Sequence, residues 1–266
     1  MRSHAETVQG QFDPQARAYL TSPVHARGAD LEEAGLLIAT LPADSIAIDV
    51  GTGAGHLAFL LARKLAAVVA ADPSPSMLEV VREAAVAQSL MPRLTTSQSS
   101  VEALPFPEGC FDLVATRYSA HHWLDLPRAL REMRRAVKDG GHALVIDLLG
   151  DDAPLVDTHL QAMELLRDPG HVRNRSQAEW QRLLAEAGFA VEQARTFPLR
   201  LEFASWVERM RVPPETVDAI RRLQRGAPTA VARALEFESD GSFRVRTGLF
   251  WARAVSSAVA DRGSAP

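Results

Sequence analysis

Short apolar runs and helix-spaced apolar positions alternate along the first 150 residues. Ile46–Val50 and Ala67–Ala71 are nearly continuous in hydrophobic character, as expected of strands covered on both faces of a parallel sheet. Between and around them, Leu31, Ala34, Leu37, Ile38 and Leu41 fall at helical spacing until Pro42 stops the helix, and Leu57, Leu60, Leu61 and Leu65 fall on one helical face. A polar, Thr- and Ser-rich strand near 93–98 suits a sheet edge. Phe111–Thr116 reads as a fourth strand, and Leu130, Met133 and Val137 as the inward face of the next helix, whose outer face, with Arg128, Arg131, Arg134 and Arg135, is expected to be solvated. Lys138-Asp139-Gly140-Gly141 is then expected to cap that helix, and His142–Ile146 to begin a fifth strand. Right-handed crossovers stack such a βαβ alternation into one parallel sheet.

Beyond Gly150 the rhythm changes. A helix over about 155–167 leads to a polar loop, 168–175, and Ser176-Gln177-Ala178-Glu179 is a capping box opening a helix with Trp180, Leu183, Leu184 and Ala187 on its apolar face. Phe189, Val191, Arg195 and Phe197 suggest a sixth strand, and Phe243, Val245, Thr247, Leu249 and Trp251 alternate as a last one. The segment between them, 201–240, is helical and arginine-rich. With both ends anchored at the sheet it is expected to sit above the strand ends as a lid, a dimer interface being the competing use.

Composition narrows the function. The chain has 266 residues, 47% of them hydrophobic, a net charge of −4 and a pI near 6.1, which disfavours salt-dependent binding to duplex nucleic acid. Lys64 and Lys138 are the only lysines, so the abundance of arginine by itself points to no ligand. With Cys110 as the sole cysteine, an internal disulfide and a thiolate metal cluster are excluded. No signal sequence or membrane span is legible, because Arg63-Lys64 breaks the apolar stretch 57–71. A cytoplasmic protein, monomeric or homodimeric, is expected.

The chemistry concentrates where the first strand ends. Asp49-Val50-Gly51-Thr52-Gly53-Ala54-Gly55 places three glycines at spacing two behind a carboxylate. Glycine is required where the backbone turns sharply out of a strand and lets a ligand lie against it. The dinucleotide fingerprint needs its third glycine one residue later, where His56 stands, and Asp49 would repel a pyrophosphate. A ligand bearing a cation suits the loop better. Asp72 closes the second strand 21 residues beyond Gly51, where doubly wound folds place an acid that accepts ribose hydroxyls. Ser74 and Pro75 then read as an N-cap and first helical residue.

The glycine loop together with Ser99-Ser100-Val101-Glu102-Ala103-Leu104-Pro105-Phe106 resembles the class I S-adenosylmethionine (SAM) dependent methyltransferases of the ubiquinone/menaquinone biosynthesis type, continuously from about Phe12 to Gly141. The resemblance implies a Rossmann-like α/β fold, doubly wound, with seven strands, mostly parallel, the last antiparallel. The implied division is an N-terminal helical segment 1–41 folded over the cofactor, a core 42–200, the lid 201–240, the last core strand 241–256 and a disordered tail 257–266. SAM is the implied cofactor, S-adenosylhomocysteine its product, with no metal. The implied cofactor contacts are Asp49 toward the methionyl amine, Gly51, Gly53 and Gly55 beneath it, Asp72 on the ribose, Met77 and Val101 around adenine, and, with no assigned part of the ligand, Tyr19, Pro73, Ser100, Glu102 and Arg117. His25 is a further candidate. Ser100 stands where the family usually has an aspartate, so Ser100 or a backbone group must serve the adenine amine.

The fourth strand delivers Arg117-Tyr118-Ser119-Ala120-His121-His122-Trp123 to the carboxyl edge of the sheet, where ligands bind in open α/β folds. His121, His122 and Arg117 are therefore the catalytic candidates, a histidine acting as general base or substrate orienter, with plain packing as the alternative. A magnesium-dependent catechol type needs an acid where Arg117 stands. Arg117, Arg173, Arg175 and Arg211 hint at a polar or anionic acceptor, a small organic molecule methylated on carbon, oxygen or nitrogen. The competing functions are a protein of this fold that binds SAM without transferring its methyl, and a nicotinamide-dependent oxidoreductase. A nucleic-acid methyltransferase lacks its Asn/Asp-Pro-Pro-aromatic motif.

Overall fold

The computed structural model describes residues 2–21 and 28–256, so His25 and the tail 257–266 lie outside the described residues. Seven strands form one sheet in the order β3-β2-β1-β4-β5-β7-β6, with β1 Ile46–Val50, β2 Ala67–Asp72, β3 Leu94–Gln98, β4 Phe111–Arg117, β5 Val137–Leu148, β6 Phe189–Leu201 and β7 Phe243–Ala254. The first five pair in parallel, and β7 runs antiparallel between β5 and β6. The order reverses between β1 and β4, and the crevice this opens at the carboxyl edge lies at the end of the glycine-bearing strand.

Apolar side chains leave the central strands on both faces, which is why their sequences are continuous rather than alternating. On one face Ile48, Val50, Val114 and Val145 meet α6 (Leu126–Ala136) and α8 (Gln177–Glu186) through Leu130, Met133, Trp180 and Leu184. On the other, Ala47, Leu113, Leu144 and Ile146 meet α3 (Ala29–Ile38), α4 (His56–Ala62) and α5 (Pro75–Ala87) through Ile38, Leu61 and Val81. The expected caps are present: Ser74 accepts from the Met77 N–H at 3.0 Å, and the Ser176/Glu179 capping box is complete.

Two expectations are corrected. Lys138–Gly141 does not cap α6: the strand begins at Val137 directly after Ala136, and residues 138–141 form an irregularity in its pairing with β4, between the Phe111–Val137 and Leu113–His142 pairs. Gly140 takes a φ of +75° there. The arginines of α6 are not all solvated either. Arg135 reaches back to the carbonyls of Phe106 (2.8 Å) and Leu104 (3.1 Å), clasping the loop behind Val101.

α7 (Pro154–Arg167) and the insertion helices α9 (Phe203–Glu208), α10 (Pro214–Arg225) and α11 (Thr229–Ala234) share a separate apolar cluster containing Leu160, Met163, Trp206, Ile220, Val231 and Phe243. At the other end of the chain, α1 (His4–Phe12) and α2 (Ala16–Thr21) reach the insertion through Gln11, whose Nε2 donates to Met210 O at 2.9 Å. His56 in turn donates to Tyr19 O at 3.1 Å, so the N-terminal segment touches both the glycine loop and the insertion.

Candidate active site

A cavity of about 260 Å³ opens at the carboxyl edge between β1 and β4. Its walls include Asp49, Gly51 and Gly53 from the turn after β1, Asp72, Pro73 and Met77 after β2, Ser100, Val101 and Glu102 after β3, Arg117 at the end of β4, and Tyr19 from the N-terminal segment. Eleven of the twelve expected contacts thus line one cavity. The exception is Gly55. It is absent from the walls, and a Cβ there would lie 2.8 Å from Phe59 and 2.9 Å from Val81, so its φ of +89° and missing side chain serve the packing of α4 onto the core. At Gly53, by contrast, a Cβ would meet nothing within 4 Å, and the open side of the turn is the cavity itself.

Asp49 is buried. Its Oδ2 accepts from Thr52 Oγ1 at 2.6 Å, while Oδ1 has no hydrogen-bond partner among the described residues. Burial lifts its pKa to about 7, against the bond from Thr52. A buried carboxylate with an open oxygen is incomplete without a cationic neighbour, and the cavity is where one would enter. Asp72 differs: Oδ2 accepts from Gly53 N–H and Oδ1 from Ser74 N–H, both at 2.9 Å, and burial raises its pKa to about 6. Each of its oxygens keeps a lone pair for a hydroxyl.

Ser100 is engaged locally: its hydroxyl donates to Glu102 Oε2 at 3.0 Å and accepts from Glu102 N–H at 3.3 Å, capping the turn 101–103. The unsatisfied hydroxyl in this loop is Ser99 Oγ, buried and on the cavity wall. Sequence reading passed over Ser99 because the family comparison fixes attention one residue later. An adenosyl ligand with a cationic amino-acid end therefore fits: an open carboxylate oxygen at Asp49, a backbone with room at Gly53, two acceptors at Asp72, and Met77 and Val101 as apolar walls.

A second, smaller cavity of about 70 Å³ shares Phe12, Tyr19, Tyr118 and His122 with the first and adds His121, Leu148, Arg167, Asp168, Leu199, Leu201, Trp206 and Arg209. The two histidines part company here. His121 donates from Nδ1 to Asp147 Oδ1 at 2.6 Å, and its backbone N–H bonds Asp147 Oδ2 at 3.0 Å, fixing the ring and leaving Nε2 as the basic atom. Burial disfavours its charged form, but the Asp147 carboxylate outweighs burial and holds the pKa above the ordinary value. His122 donates from Nδ1 to Gly170 O at 3.0 Å; burial and the charge of His121 depress its pKa to about 4, keeping it neutral at the junction of the chambers.

The arginines read from sequence are spoken for. Arg117 pairs with Asp30 at 2.5 Å and lies over the Tyr118 ring, joining β4 to α3. Arg173 bridges Asp157 and Glu179, Arg175 stands 4.0 Å from Glu179, and Arg211 reaches only the Pro14 carbonyl. None of the last three lines either cavity. Arg167 and Arg209 take their place on the wall of the smaller one, and Asp147 stands behind His121, residues that no local motif distinguishes from ordinary helix and strand positions. Among the described residues, no helix is long and apolar enough to cross a membrane.

Residues 48–145 match the family described as a methyltransferase domain. An uncharacterized protein of Escherichia coli K12, YafE, is 46% identical over 193 residues, 73% of this chain and 93% of that protein. The uncharacterized methyltransferase YcgJ of Bacillus subtilis is 32% identical over 211 residues, covering 79% of this chain and 82% of its own. The crystal structure of YcgJ superposes with a TM-score of 0.80 at 28% identity over 86% of this chain and 99% of that one.

Proposed function

The chain belongs to the class I SAM-dependent methyltransferases, and from that premise we propose that it methylates a small organic molecule held in the chamber beneath the 201–240 insertion. The observation that carries this reading is the pair of cavities sharing Phe12, Tyr19, Tyr118 and His122 as walls, one beside the glycine turn and one lined by Trp206 and Arg209 of the insertion. A chamber of about 70 Å³ suits a small acceptor and is too narrow for a folded polymer.

In this reading Asp49 holds the cofactor's amine, Asp72 the ribose hydroxyls, and Met77 and Val101 flank adenine. The bound cofactor supplies a methyl carbon already activated on a sulfonium. What remains for the protein is to position the acceptor in a dry site, an effect worth on the order of 7–11 kcal/mol in well-oriented reactions. His121, oriented by Asp147, takes the acceptor's proton at Nε2, a contribution of about 100- to 10,000-fold where the acceptor must be deprotonated. His122, neutral and tied to Gly170, separates the two chambers. The insertion, with α1 and α2, serves as the lid.

The test is calorimetry with SAM and S-adenosylhomocysteine, followed by transfer from isotopically labelled SAM into a fractionated small-molecule extract. Binding of both with label appearing in a low-mass product supports the proposal. Tight retention of S-adenosylhomocysteine with no labelled product in any fraction favours a non-transferring protein of the same fold, and binding of NADH in place of SAM overturns the cofactor assignment.

A further inference from the structure

Among the described residues, the smaller chamber contains a cation with no ion pair of its own. Arg209 follows the last turn of α9 and is half-buried, yet among the described residues it makes no ion pair within 4 Å and no side-chain hydrogen bond. The other charged groups around the chamber are committed. Arg167 donates from Nε to Trp206 O at 2.9 Å, lies 5.0 Å from the centre of the Trp206 ring, and faces Glu164 at 3.5 Å. Asp147 is bonded to His121. Asp168, the carboxylate in the chamber wall, accepts from Gly170 N–H at 2.8 Å and has its other oxygen 3.8 Å from His122 Nε2.

We infer that this chamber is an anion site, in which Arg209 holds an anionic oxygen head group of the acceptor while the rest of that molecule extends past His121 toward the shared walls at Tyr118 and His122. The inference rests on the proposed methyl transfer and adds the class of acceptor to it. Two observations support it independently of each other. The first is the missing ion pair: a half-buried guanidinium with no hydrogen-bonded partner carries part of a desolvation cost, and a carboxylate or phosphate oxygen relieves it with charge-assisted hydrogen bonds. The second is placement. Arg209 and His121 both line a chamber of about 70 Å³, so one small molecule spans the two. Burial first and Arg167 next work against the charge of Arg209, Tyr19 and Glu164 work for it from a distance without pairing, and a bound anion adds a direct partner.

The experiment uses the full chain saturated with S-adenosylhomocysteine and three probes of similar shape, benzoate, phenyl phosphate and benzamide, with binding followed by calorimetry or ligand-observed NMR. Benzoate or phenyl phosphate is expected to bind more tightly than benzamide, and the preference between the two anions identifies the head group. Arg209→Gln should weaken the favoured anion at least tenfold, leave benzamide unchanged, and leave S-adenosylhomocysteine affinity within twofold. Arg209→Lys should retain much of the anion binding, which separates loss of charge from loss of fold. Equal anion affinity in the wild type and Arg209→Gln, or no preference for anion over benzamide, overturns the inference. Failure of the wild type to bind S-adenosylhomocysteine instead overturns the reading on which it rests.

Discussion

Asp72 Oδ2 accepts a hydrogen bond from Gly53 N–H at 2.9 Å, tying the end of β2 to the turn after β1 across nineteen residues of sequence. The carboxylate proposed to take ribose hydroxyls therefore also sets the shape of the glycine turn. Asp72→Ala leaves the N–H groups of Gly53 and Ser74 without acceptors, at about 1–3 kcal/mol each if water does not replace them. The expected outcome is at least a tenfold loss of SAM affinity by calorimetry together with a Tm lowered by several degrees. Asp72→Asn, which keeps one acceptor, should lie between. Unchanged SAM affinity in the alanine variant would remove Asp72 from the site.

A second prediction concerns pH. Asp49 has a pKa raised to about 7 by burial, against an ordinary carboxylate in the unfolded chain, so the folded protein holds a proton there that the unfolded chain has lost. Stability from this group is accordingly greatest below the unfolded value and declines as pH rises toward 7. Cofactor affinity should move the opposite way, because a cationic amine prefers the ionised acid. SAM binding is expected to strengthen between pH 5.5 and 8 and to release protons, read from calorimetry in buffers of different ionisation enthalpy. Asp49→Asn should flatten the profile and weaken binding.

His121 and Asp147 give a third. Asp147→Asn should lower turnover by about 100-fold or more, the scale of a general base, while S-adenosylhomocysteine affinity stays within about threefold. Because Asp147 raises the pKa of His121, its loss should shift the acidic limb of the pH–rate profile to lower pH. A parallel fall in cofactor affinity, with no movement of that limb, would make the pair a packing feature.

The glycines separate site from scaffold. Gly53→Ala costs about 1–2 kcal/mol through its φ of +51° and points a methyl group into the larger cavity, so cofactor binding should fall far more than Tm. Gly55→Ala meets Phe59 and Val81 at under 3 Å, so thermal stability should fall first. Matching effects of the two substitutions would contradict the different surroundings of these positions.

The strand and loop that line the larger cavity were legible because they are local: Asp49, Gly51 and Gly53 lie within five residues, and Asp72 ends a strand whose run is unmistakable. Parallel pairing puts β1 and β2 side by side, so reading each strand end was enough to place both acids on one cavity. Gly55 stands off the cavity walls, because the same residue type serves close packing and close approach to a ligand alike. The smaller chamber was largely illegible. Arg209 lies 88 residues from His121 in sequence, and only the packing of Trp206 beneath Arg167 brings α9 over the β4 edge. Arginines 173 and 175 looked available in sequence because their partners, Asp157 and Glu179, come from two different helices.

Phe12 and Tyr19 belong to the walls of both cavities, and Tyr19 OH also contacts Met210 Sδ at 3.2 Å. Displacing that segment would uncover the two compartments together, and a common gate for spent cofactor and methylated product is the expected consequence. Their dissociation rates should converge in stopped-flow traces, and turnover should be paced by how often the N-terminal strap lifts.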